Sequence, residues 1–277
     1  RVLDARSALR RGEGMKTRVI TALLLIVILF PIIAFGGIPF RLLEVFVVVV
    51  GGLEFMNLSS RSRKWPAVIR PAAILFVLAI YLLSVFQQRY LFPMMSAAVL
   101  FFLSIPVFTE HFTSNDAFLC ISYVMLFFFT LHALEQVQTH PAYIWLIIIA
   151  TYGCDTGAYF GGRFLGRHKM NERVSPKKTW EGAICGWISG FLLSMLIGLL
   201  LNAFMSGMDM RVFWLACLLL PLCGQYGDLA FSAMKRCYGR KDFSHLLPGH
   251  GGVLDRLDSL IFNFLCFGIL YMVVMTL

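Results

Sequence analysis

Charge is what this sequence has least of. Only 14% of its 277 residues are Asp, Glu, Lys or Arg, where a soluble domain carries about 25%. With 59% hydrophobic residues and a mean hydropathy of +0.78, so few charges could not keep the remaining apolar surface in water. A soluble globular fold is excluded, and the bilayer is the expected solvent. Cysteine pairs are lacking too. The seven cysteines show no C-x-x-C pair and no zinc-like spacing, so they read as small helix residues in a reducing setting, not as disulfides or a zinc site. The apolar run after Met15 lacks the small-residue cleavage site of a signal peptide. It is expected to stay as a membrane anchor, with Arg1 to Gly14 an upstream leader.

What is present is a series of apolar runs. A span needs about 20 mainly apolar residues, and nine stretches approach this: Val19 to Phe35, Leu42 to Leu58, Pro71 to Phe86, Leu91 to Phe108, Ala117 to Leu134, Tyr143 to Gly162, Gly182 to Met205, Val212 to Met234 and Leu257 to Leu277. The expected fold is therefore all-α, a polytopic membrane helix bundle of about nine transmembrane helices. After the leader 1–14, a region 15–142 would hold about five helices and a catalytic region 143–277 about four. A cytoplasmic N-terminus places all but Arg41, Arg89 and Arg211 of the 24 Lys and Arg before the first span or after the second, sixth and eighth. That is the bias cytoplasmic loops show, and it puts the C-terminus on the opposite side.

Four polar constellations interrupt the apolar pattern. Asp228, Ser232, Lys235 and Arg236 stand at i, i+4, i+7 and i+8 of the eighth span, on one helical face. Pro221 removes a helical hydrogen bond there, while Gly224 and Gly227 allow close backbone approach. An acid inside a membrane is expensive and is a functional candidate, the alternative being simple pairing of Asp228 with a cation from a neighbouring helix. Asp255 and Asp258, three apart at the start of the last span, can offer two carboxylates to one site. Hard oxygen ligands beside phosphate suit magnesium, and Gly251 and Gly252 let backbone N–H groups approach an anion. Read otherwise, the acids are a helix N-terminal preference and the glycines a turn. His250 in the same run is ambiguous.

In Ser175-Pro176-Lys177-Lys178-Thr179-Trp180-Glu181-Gly182, Ser175 reads as an N-cap and Pro176 as the first helical residue. Two lysines at a helix N-terminus are favourable mainly when an anion such as a triphosphate sits there; lipid headgroup attraction is the alternative. Asp155 lies among Gly153, Gly157 and Gly161, and Gly182, Gly186 and Gly190 repeat with the same period. These stripes are expected to pack helices closely, with Asp155 aimed into a shared cavity. Glu44 and Glu54 of the second span are expected to line that cavity or to snorkel.

The run Ser232-Ala233-Met234-Lys235-Arg236, then Lys241-Asp242, then Pro248 to Asp258 resembles the pattern of phosphatidate cytidylyltransferases (CDP-diacylglycerol synthases). Asp155 to Phe160 with Gly162-Arg163, and Ser175 to Gly182, resemble the same family in the same order. The resemblance covers about Tyr152 to the C-terminus, with Cys154 where the family often has serine. It implies a magnesium-dependent membrane enzyme, with room for a second cation, that transfers the cytidylyl group of CTP to phosphatidate. It places Asp228, Asp255 and Asp258 around the metal, makes these with Lys235 and Arg236 the catalytic group, and sets Ser232, Lys235, Arg236 and the two lysines Lys177 and Lys178 on phosphate. Asp155, Thr179, His250, Gly251, Gly252 and Arg256 complete the expected substrate contacts. The expected partners are CTP, phosphatidate and membrane lipids, with no nucleic acid; a homodimer is an open expectation. The expected location is a bacterial inner membrane with the active site facing the cytoplasm. Rival readings are a CTP-dependent polyprenol kinase and a transporter with acids at the midplane and broken helices. No inverted repeat is visible to support the latter.

Overall fold

In the computed structural model the described residues are 20–21, 23–60, 65–138, 140–205 and 207–277. The leader, the Met15-Lys16-Thr17-Arg18 start, Val19 and the Arg61, Arg63 and Lys64 cluster lie outside them. Among the described residues nine α-helices follow one another: α1 Leu23–Phe35, α2 Gly37–Ser60, α3 Ile69–Phe86, α4 Leu91–Phe108, α5 Ser114–Gln138, α6 Ala142–Phe164, α7 Trp180–Met205, α8 Met210–Cys237 and α9 Leu254–Thr276. Each apolar stretch read from the sequence falls on one of them. Among the described residues six, namely α2, α4, α5, α7, α8 and α9, are long and apolar enough to cross a membrane. Helices α1 and α3 offer shorter apolar segments, and the apolar pattern of α6 is interrupted by four glycines, Asp155 and Arg163. The chain is thus an integral membrane helical protein.

It is not wholly α. Strands β1 (Lys169–Asn171) and β2 (Ser175–Thr179) form an antiparallel hairpin with Lys169 opposite Thr179 and Asn171 opposite Ser175. The expected helix start at Ser175 and Pro176 is therefore displaced to Trp180. Thr179 is its cap, its Oγ1 accepting the Gly182 N–H at 3.2 Å. Local propensity favoured the earlier start, but pairing with Lys169 to Asn171 recruits the backbone that a helix would have used.

The chain packs into two compact units, each drawn from separated segments. The first comprises residues up to Ala79, Pro93–Val124 and Asp242–Arg256. In it the Tyr123 hydroxyl donates to the Val48 carbonyl at 2.9 Å, Gly52 makes room for that ring, and Phe55 stacks on Phe243 with centroids 6.4 Å apart. Asp116, buried, accepts from the Thr113 N–H and hydroxyl at 2.9 and 2.8 Å and also from Ser59. That back-bonding to the residue before the helix fixes where α5 begins.

The second unit comprises Ile80–Phe92, Met125–Lys241 and Leu257–Leu277. Its centre is the α6–α7 pair. The buried stripe of α7 is Gly182, Gly186, Gly190, Ser194 and Gly198, whereas its exposed face carries Ile184, Ile188, Leu192 and Leu196. Small residues inside and large apolar ones outside invert the soluble pattern, which only a hydrocarbon solvent tolerates. Contact is close: a Cβ at Gly186 would stand 2.8 Å from the Cys154 carbonyl and the Ala158 Cβ, and one at Gly190 would stand 2.9 Å from Pro221. The glycine stripes are architecture, as their period implied. Helix α8 meets α9 in the same way, with Gly224 against Asn263 and Gly227 against Phe262. There Asn263, wholly buried, donates to Thr151 at 2.7 Å.

Candidate active site

Along α6, residues 155, 158, 159, 162 and 163 form one stripe at helical spacing. It lines a cleft of about 470 Å³ in the second unit, together with Met170, Lys177, Lys178, Thr179, Gly182, Ala183, Gln225 and Asp228. Four of the sequence-predicted residues, Asp155, Lys177, Lys178 and Asp228, therefore meet around one opening, and Thr179 caps a helix at its wall.

The hairpin that presents the lysines is held by Glu181. Its carboxylate accepts from the Arg167 N–H at 3.0 Å and the His168 N–H at 3.2 Å, and lies 2.6 Å from the His168 Nδ1. Trp180 N–H returns to the His168 carbonyl at 3.0 Å. At the far end, the Asn171 side chain accepts the Val174 N–H at 3.2 Å, and Arg236 donates to the Val174 carbonyl at 3.3 Å. Arg236, expected on phosphate, here steadies the hairpin turn.

Lys178 Nζ sits 2.6 Å from Asp228 Oδ2 and 3.4 Å from the Gln225 carbonyl. Asp228 thus does pair with a cation, but the cation comes from the hairpin and not from a neighbouring helix. Both side chains are about one-third exposed or less, so the pair is reachable from the cleft. Ser232 donates to Asp228 Oδ1 at 3.3 Å, which confirms the shared helical face. One turn on, Lys235 is buried 3.7 Å from Asp258, itself buried on α9. At that distance the two attract as charges without a direct hydrogen bond.

The glycine-rich run lies in the first unit and is closed on itself. Leu247 and Gly251 exchange backbone hydrogen bonds of 2.8 and 3.1 Å, with φ of +75° at Gly249 and +88° at Gly251. Glycine is the residue that adopts these values without strain. Arg256 donates twice to the His250 carbonyl, at 2.9 and 2.7 Å, while the buried His250 Nδ1 has no hydrogen-bond partner among the described residues. Asp255 Oδ2 accepts from the Phe243 and Gly252 N–H groups, each at 2.9 Å, so metal ligation by that oxygen would compete with two donors. Among the described residues no group of three or more His, Cys, Asp or Glu is gathered that could hold a metal ion.

Sequence reasoning missed Glu54 most completely. It neither lines the cleft nor snorkels: it is 4% exposed and accepts from Ser244 Oγ at 2.5 Å, Val253 N–H at 3.0 Å and Leu254 N–H at 2.8 Å. An acid inside an apolar span was the available signal, but its partners lie about 200 residues away in sequence.

Residues 16–274 match the cytidylyltransferase family model. The chain belongs to the cytidylyltransferase family. Relatives named phosphatidate cytidylyltransferase in Staphylococcus haemolyticus and Staphylococcus aureus are each 30% identical over 254 residues, which cover 90% of this chain and 95% of theirs. One from Staphylococcus epidermidis is 31% identical over the same share. The cleft brings two lysines and two carboxylates together, and one of the carboxylates, Asp228, is held by Lys178.

Proposed function

We propose that this cytidylyltransferase transfers the cytidylyl group of CTP to phosphatidate, giving CDP-diacylglycerol and pyrophosphate, at the cytoplasmic face of a bacterial inner membrane. Helices α1, α3 and α6 complete nine crossings in this reading, with the N-terminus in the cytoplasm. The named relatives support the substrate pair. The observation that carries the chemistry is the Lys178–Asp228 pair at 2.6 Å on the wall of a cleft that Lys177 also lines.

Phosphatidate brings its own nucleophile as a phosphate oxyanion, so no strong general base is needed. The obstacle is bringing two polyanions together. Lys177 and Lys178 receive the triphosphate, and Lys178 exchanges Asp228 for a phosphate oxygen as it does so. Ser232 keeps the released Asp228 carboxylate oriented, and Lys235 balances Asp258. An oxygen of the lipid phosphate attacks the α-phosphorus of CTP; that bond forms as the bond to the β-phosphate oxygen breaks, and pyrophosphate leaves with the electron pair. Asp228 and Asp258 are hard oxygen donors on two helices packed in one unit, and a magnesium ion takes one or two carboxylates plus substrate oxygens. By chemistry alone these two carboxylates are ligands that magnesium accepts, and a magnesium ion held by them would neutralise charge on phosphate oxygens.

The test uses purified protein in detergent with phosphatidate and CTP labelled at either the α- or the γ-phosphate, with and without magnesium. Label from the α-position should enter the lipid and label from the γ-position should leave as pyrophosphate. Label from the γ-position in the lipid would mark a lipid kinase and overturn the reading. Inside-out vesicles should consume added CTP while right-side-out vesicles do not.

A further inference from the structure

Helix α9 starts without a cap of its own. The residue before Leu254 is Val253, preceded by two glycines, and none of these offers the side-chain oxygen that normally receives the first N–H groups of a helix. Those groups are not left bare. Glu54, from the C-terminal part of the apolar helix α2, accepts the Val253 and Leu254 N–H groups, one on each carboxylate oxygen, and takes the Ser244 hydroxyl as well. Burying a carboxylate in an apolar span is costly unless hydrogen bonds replace its water. Here three donors do so, and the positive end of a helix adds attraction. The fit leaves no spare room: a Cβ on Gly252 would lie 2.7 Å from both Glu54 oxygens. From the other side Asp255 draws in the N–H groups of Gly252 and Phe243, so two carboxylates peg the ends of the segment 243–254.

We infer that Glu54 is a positioning residue of the cytidylyltransferase reaction: a distant cap that sets where α9 begins and thereby the place of Asp258, one helical turn after Leu254. The inference rests on the cytidylyl-transfer reading above. Glu54 touches no substrate; it acts through the glycine-rich loop and the first turn of α9. What the position requires is a pair of acceptor oxygens, not volume. Glu54→Gln keeps the shape but turns an amide N–H₂ toward a backbone donor, whereas Glu54→Asp keeps both acceptors on a shorter stem.

Two measurements on the full-length protein in detergent test this. Hydrogen exchange across 243–254 should speed up at least tenfold in Glu54→Gln and less in Glu54→Asp, with the thermal midpoint of the whole protein little changed. In the cytidylyl-transfer assay kcat should fall about tenfold or more in Glu54→Gln and recover partly in Glu54→Asp, with the KM for CTP unchanged within about twofold. Gly252→Ala should lower kcat similarly, and the double variant should be no worse than the more impaired single one, since both break one contact. Wild-type exchange and kcat in Glu54→Gln would overturn the inference, as would additive losses. If the wild-type protein shows no cytidylyl transfer, the functional reading fails while the exchange experiment still decides the capping role.

Discussion

Two buried or half-buried carboxylates show how differently this protein uses a charge in a membrane. Glu54, in the first unit, is held by backbone N–H groups and one hydroxyl. Asp228, in the second, is held by a lysine at 2.6 Å and a serine. The donors of Glu54 cannot leave without undoing a helix start, so that charge is committed to architecture. Lys178 is a flexible side chain on a hairpin, open to the cleft, and it can exchange one anion for another at little structural cost. A carboxylate on a mobile cation is available for chemistry, and one on backbone donors is not.

The contrast can be broken most severely at Asp258. Asp258→Asn should reduce turnover about a hundredfold or more while the protein still elutes as a folded species in detergent; turnover near wild type would remove Asp258 from the metal and charge-balancing role. Glu54→Gln comes next, at about tenfold in kcat. Lys178→Ala should chiefly raise the KM for CTP, by about tenfold for one lost phosphate contact, with a smaller effect on kcat. An unchanged KM would return Lys178 to a topological role. Glu181→Gln should loosen the hairpin and raise the KM for CTP only about two- to threefold, because the lysines remain but are held less well.

The smallest effect sharpens the comparison outside the membrane. Asp209 caps α8, and hydrogen bonds from the Arg211 side chain and backbone hold its carboxyl below the ordinary aspartate range. Because the folded state favours the charged form, its contribution is present at neutral pH and is lost as the pH falls through that lowered value. Asp209→Asn should therefore lower the thermal midpoint slightly at neutral pH, and the difference from wild type should vanish on strong acidification. A difference that persists there would assign the effect to shape and not to charge.

Much of this was legible along the chain, though unevenly. Apolar runs located the nine helices seen among the described residues because a helix satisfies its backbone within itself and needs no distant partner. The glycine period of α6 and α7 announced close packing for the same local reason, and Asp228 and Ser232 share a face because helical spacing alone requires it. Failures occurred where the partner is remote. Ser175 and Pro176 look like a helix start until Lys169 to Asn171 pair with them, and two lysines placed on a helix N-terminus stand instead on a strand. Arg236 faces a hairpin turn that the α8 sequence does not encode. The joining of Glu54 to Leu254 depends on two helices meeting, which no window of sequence contains.

The amino-acid sequence by itself determined the solvent, the helices and the small-residue faces by which they pack, because hydropathy and period are properties of contiguous residues. Only the tertiary structure decided which charge rests on which partner: Lys178 on Asp228, Lys235 near Asp258, and Glu54 on the first N–H groups of α9. In a low-dielectric surround each charge must find a counter-group, and which one is nearest is a matter of packing.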